Sequence, residues 1–210
     1  MTTCDPERIQ HIGAKVLAAA VPPNWLESAI PVFHRWIQQE TCEELLIDVA
    51  DYGHLPVGPG VILVAHEAHY CLDRTHGRPG LLYQRKTVLE GSFESRLLYS
   101  IRQALRAARR LMAEPEYQGK LSFDFAAWEI VFNDRLLAPN TEQGWTVISR
   151  EMDRILRQRV SGERCTWRLE RVGEPRDPLR VALLFDSSRE TERVLEDLLA
   201  ASGGRAHAAD

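Results

Sequence analysis

The chain has no CxxC pair, no apolar run near the length of a bilayer, no excess of positive charge and no glycine-rich phosphate loop. Each absence removes a class of protein. The four cysteines, Cys4, Cys42, Cys71 and Cys165, are too far apart in sequence for a zinc ribbon or a thioredoxin-like motif. They are expected to be free, partly buried thiols of a cytoplasmic chain. The short apolar stretch around Val16–Val21 makes a poor signal peptide, and no segment approaches the roughly 20 residues that cross a bilayer. Neither secretion nor membrane insertion is expected. A net charge of −4 and a pI near 6.0 give no general attraction to nucleic acid or to an anionic membrane.

Familiar catalytic signatures are missing too. The GPG at 58–60 lies between two strand patterns and reads as a turn; a P-loop would need a downstream GK[ST], and a dinucleotide fold GxGxxG opening a helix. His66-Glu67-Ala68-His69 is H-E-x-H, not the H-E-x-x-H whose i, i+4 spacing brings two imidazoles to one helix face. No GxSxG is present. Cys71 as a nucleophile would need a base such as His54 or His66 beside it; a buried thiol on the core face of a hairpin is the simpler expectation.

What the chain does have is an ordinary globular balance, 44% hydrophobic and 27% charged over 210 residues, enough for a core. One α+β domain is expected over residues 1–204, with 205–210 a disordered tail. Its N-terminal part, about 5–30, reads as helical. Asp5 and Pro6 suit an N-cap and first helical position, and Ile9, Ile12, Val16 and Leu17 follow helical spacing to Ala20. A short helix from Asn24 to Ile30 then leads into 32–37, where helix and strand compete because Pro31 interrupts the stripe and VFHRWI is rich in strand formers.

From Leu45 to Lys86 the period shortens to apolar runs divided by Gly and Pro, the pattern of a strand meander. Ser92 caps a helix reaching about residue 113. LSFDF and WEIVF alternate as two strands, and a helix opens at Asn140 or Thr141 and stops at Gly162. CTWRLERV and LRVALLF form a hairpin around GEPRDP, and a last helix covers about 189–201. Short connections between strands imply a predominantly antiparallel sheet, meander plus hairpins, with helices packed on one face.

Ionisable groups collect in 45–86: Asp48, Asp51, His54, His66, Glu67, His69, Asp73 and His76. Imidazoles and carboxylates serve as metal ligands and as acids and bases near neutral pH, so His66 and Glu67 are the catalytic candidates, and His54, His66 and His69 the candidate ligands for a divalent metal. On a flat strand His66 and His69 face opposite ways, so such a site requires a break near Glu67. Asp51, His54, Tyr70, Arg78, Tyr83 and Arg85 are candidate ligand-binding residues through bidentate hydrogen bonds and stacking.

The helix after Ser92 carries five arginines against Glu94, with Arg102, Arg106 and Arg109 on one stripe. The aromatic interleaving of an RNA-binding sheet is lacking, so internal pairing is preferred over nucleic acid. The functional expectation is a domain that binds a small ligand or a partner protein through the 45–86 meander. The alternative is an enzyme using His54, His66, Glu67 and His69, with or without a metal. Self-association is left open.

Overall fold

The computed structural model describes residues 4–56, 58–159, 165–186 and 195. Eight strands form one open antiparallel sheet: β1 (Ile12–Ala20), β2 (Leu46–Asp51), β3 (Pro59–Ala65), β4 (Ala68–Asp73), β5 (Gly80–Arg85), β6 (Ser122–Phe132), β7 (Trp167–Val172) and β8 (Leu179–Phe185). Their spatial order is β2-β3-β4-β5-β1-β6-β8-β7. Three helices, α1 (Trp25–Gln38), α2 (Phe93–Ala113) and α3 (Glu142–Arg159), lie between strands in the chain. The fold is α+β.

Strand β1 sits at the centre of this sheet, and that placement corrects the helix expected over 5–20. Only Pro6–Arg8 is helical, as a single 3-10 turn capped by Asp5. Ile12, Ala14 and Val16 alternate toward the helices, opposite Tyr83 and Leu81 on β5 and Phe132, Ile130 and Trp128 on β6. A central strand covered on both sides is largely apolar, here with Lys15 as its single charge, so its sequence loses the alternation that would betray it. Tertiary pairing overrides the helical preference of the alanines.

Residues 32–37 are helical. Helix α1 runs through Pro31, because burying Trp25, Leu26, Ala29, Val32, Phe33 and Trp36 outweighs the ladder bond that proline cannot donate. LSFDF and WEIVF belong to one long strand, β6, whose pairing with β1 shifts register between Val16 and Leu17. The four meander strands, the Ser92 cap, which accepts from Ser95 N at 3.2 Å, and the β7–β8 hairpin agree with the sequence. Thr141 Oγ1 accepts from Gly144 N at the start of α3. The expected Gly162 stop, the last helix apart from Leu195, and the tail at 205–210 lie outside the described residues.

All three helices cover the same face. Phe93 of α2 stacks on Phe132 of β6 with ring centroids 6.0 Å apart, Asp153 of α3 accepts from Trp167 of β7, and Trp36 of α1 donates to Glu114 at the end of α2. The opposite face carries no helix among the described residues. Two loops cover its centre, 74–79 and 173–178, and His76 Nε2 of the first meets Asp177 Oδ2 of the second at 3.2 Å.

Candidate functional site

Three arrangements merit comparison as sites. The first is the ionisable cluster read from sequence. Strand β3 ends at Ala65 and β4 begins at Ala68, so the required break at Glu67 exists as a two-residue turn. His66 Nδ1 lies 3.4 Å from Glu67 Oε1, and the His66 side chain is largely exposed. His54, however, sits in the β2–β3 loop at the other end of β3, a distance of roughly 20 Å for a seven-residue strand. His69 points to the helix-free face. The structure therefore joins His66 to Glu67 and keeps His54 apart. Among the described residues no three His, Cys, Asp or Glu side chains are grouped to hold a metal ion.

His69 is nonetheless informative. Burial, and then the nearby Lys86 charge, hold its pKa below the ordinary value, and its Nδ1 has no partner among the described residues. Because the unfolded chain takes up this proton first, its contribution to stability is complete above roughly pH 6.5 and is lost as pH falls toward the folded value. Urea midpoints are expected to fall over that interval and to fall less in His69→Leu. An identical slope in the variant would remove His69 as the cause.

The second arrangement joins three of the predicted ligand residues, Tyr70, Tyr83 and Arg85, to one that sequence reasoning did not weigh, Glu44. This buried carboxylate accepts Tyr70 Oη at 2.5 Å, Tyr83 Oη at 3.0 Å and Tyr99 Oη at 3.2 Å. The Tyr70 and Tyr83 rings meet edge-on at 5.2 Å, and the Arg85 guanidinium lies 5.8 Å over the Tyr99 ring. Burial, and then the Glu44 charge, push all three phenols up, Tyr99 to about 12, so they stay neutral donors. Cys42 beside them is pushed up to about 11, chiefly by burial, and Cys71 to about 12 for the same first reason. Neither is a thiolate at neutral pH. A cavity of about 210 Å³ lies between this cluster and α2, lined by Cys42, Glu43, Tyr70, Gln103, Arg106 and Arg110. Arg106 and Gln103 both bond Glu43, so the arginine stripe is in part internally paired.

A third arrangement was missed entirely. On the helix-free face Lys15 Nζ meets Asp73 Oδ2 at 2.5 Å, and Glu129 accepts Arg180 at 2.6 Å and lies 2.8 Å from the Arg78 guanidinium as an ion pair. Lys15 and Glu129 are register partners on β1 and β6. Lys15 is 0% exposed and Glu129 1%. Arg78, a predicted ligand residue, is thus committed to this network, and Asp51 stays exposed, accepting from Gly53 N at 2.7 Å. The available signal was one lone charge in each of three apolar strands, IGAKVLAAA, WEIVF and LRVALLF, with Asp73 ending a fourth. Charges there must find one another.

The outer edge of the meander completes the inventory. Tyr52 N donates to Gly60 O at 2.7 Å, so by alternation Val49 and Asp51 turn their backbone groups away from β3. Val49 N donates to Asp48 Oδ1 at 2.8 Å. Of the six exposed large hydrophobic residues among those described, Leu45 (65%), Ile47 (53%), Tyr52 and Leu55 lie on this strand or beside it. Residues 40–55 contain Glu40, Glu43, Glu44, Asp48 and Asp51 and no lysine or arginine. The other edge, β7, instead exposes Arg168 and Glu170, charges of both signs that protect an edge from pairing. No helix among the described residues is long and apolar enough to cross a membrane. Compared with family models, with curated proteins and with solved structures, the chain finds no match.

Proposed function

We propose that this chain is a non-catalytic binding module that takes a partner protein by strand addition to β2. The observation that supports it most is the concentration of exposed apolar side chains along a strand edge that is unpaired among the described residues and whose own charges, Asp48 and Asp51, are acidic. An added strand gains affinity from main-chain hydrogen bonds and specificity from alternate side chains. Val49 and Asp51 offer the main-chain groups, Leu45 and Ile47 the apolar contacts, and Asp48 and Asp51, one on each face of β2, favour a partner strand whose lysine or arginine face lies against either acid. A second copy would set these acids against one another, which disfavours self-pairing.

The test uses an end-blocked heptapeptide alternating valine and lysine, with the valine–glutamate analogue as control. Calorimetry is expected to show saturable binding of the first alone, weakening as salt is raised. Ile47→Lys, at an exposed position, should leave the protein folded and reduce affinity by more than about tenfold. Equal binding of both peptides, or an Ile47→Lys variant that binds as well as the parent, would sink the proposal.

A further inference from the structure

A second surface, remote from β2 at the far edge of the sheet, carries its own recognition chemistry. A trough of about 360 Å³ runs between α3 and β7. Trp145 and Trp167 line it together with Leu169, both indoles half-buried, whereas Trp25, Trp36 and Trp128 are buried in the core. The Trp167 ring is held in place: its Nε1 donates to Asp153 Oδ1 at 3.1 Å, and the Arg157 guanidinium lies 5.8 Å over it. Arg157 Nε in turn donates to Asp153 Oδ2 at 2.6 Å.

The polar groups around the trough are unevenly spent. Asp153 has both oxygens engaged, and the hydroxyls of Thr146 and Ser149 donate to the α3 carbonyls of Glu142 and Thr146. Arg150, exposed on the rim, pairs with no acid among the described residues, and Trp145 Nε1 has no acceptor among them. The hydroxyls thus keep acceptor lone pairs but no free proton, and the unspent charge beside the two aromatic faces is the Arg150 guanidinium. A neutral sugar would leave the Arg150 charge unmatched. A nucleic acid strand would need more than one cation, on a chain of net charge −4. We infer that this trough binds a small ring carboxylate, stacked against Trp145 and Trp167 and paired with Arg150.

Its test is a titration of the full chain with 2-naphthoate and with the neutral 2-naphthylmethanol, followed by calorimetry and tryptophan fluorescence. Naphthoate is expected to bind one to one, quench the emission and exceed the alcohol in affinity by about tenfold, the worth of one charge-assisted pair. Arg150→Ala should erase that preference while leaving alcohol binding unchanged, and Trp145→Ala should weaken both probes. Far-UV circular dichroism should be unaltered in each variant. No saturable quenching at millimolar naphthoate, equal affinity for the two probes, or an unaffected preference in Arg150→Ala would overturn the inference.

Discussion

Asp73→Ala is expected to destabilise the protein by about 3–5 kcal/mol, the cost of leaving a buried charge without its partner. Lys15 has 0% side-chain exposure and Asp73 5%, they meet at 2.5 Å, and among the described residues neither has another ion-pair partner within reach. Asp73 also accepts Thr75 Oγ1 at 2.6 Å, which anchors the loop at 74–79 over the helix-free face. That loop turns through His76, at φ 59°, a left-handed conformation unusual for a residue with a Cβ. Losing the carboxylate therefore removes both the counter-ion and the anchor of a constrained loop. Lys15→Met combined with Asp73→Leu should recover much of the loss, because an apolar pair of similar volume carries no desolvation cost. Urea unfolding with an unchanged m-value measures both. A single-variant loss below about 1 kcal/mol would mean that water reaches Lys15 in solution.

The second large effect belongs to Glu44. Its carboxylate accepts three phenols, and removing it leaves Tyr70 and Tyr83 hydroxyls buried with nothing to donate to. At about 1–3 kcal/mol for each unsatisfied buried hydroxyl, Glu44→Ala should cost about 3–5 kcal/mol, allowing half-buried Tyr99 to reach water. Its neighbour supplies the control. Glu43 pairs with exposed Arg106, and Glu43→Ala should cost less than about 1 kcal/mol. Adding Tyr70→Phe to Glu44→Ala should restore part of the stability, since it deletes one orphaned donor. If Glu44→Ala and Glu43→Ala prove equivalent, the tyrosine cluster is not the pin that holds residues 39–45 to the sheet.

How much of this was legible in the sequence depended on burial. The meander and the β7–β8 hairpin were legible because short apolar runs are divided by turn residues, and the Ser92-capped helix because its buried residues recur at the helical period. Strand β1 was not, because both of its faces are covered and Ile12, Val16 and Leu17 also fit a helical stripe. Tyr70, Tyr83 and Arg85 were legible as a group because they alternate along two adjacent strands. Glu44 was not: one acid in the run Glu43-Glu44 looks like its neighbour until the fold buries it. The separation of His54 from His66 likewise follows only from which end of β3 each loop occupies. The network of Lys15, Asp73, Glu129 and Arg180 unites residues from four strands, and no local pattern links them.

The central claim is that β2 is a docking edge, and amide hydrogen exchange tests it most directly. In the free protein the Val49 and Asp51 amides face away from β3 and should exchange rapidly, whereas those of Asp48 and Ala50 point into the ladder and should be slow. Saturating valine–lysine heptapeptide is expected to slow Val49 and Asp51 by at least about tenfold, as they enter a new strand pair. Exchange at these two amides that stays unchanged at saturation, or protection that appears at β7 instead, would contradict the account. Protection that grows with protein concentration in the absence of peptide would name a second copy as the occupant and contradict the cationic partner.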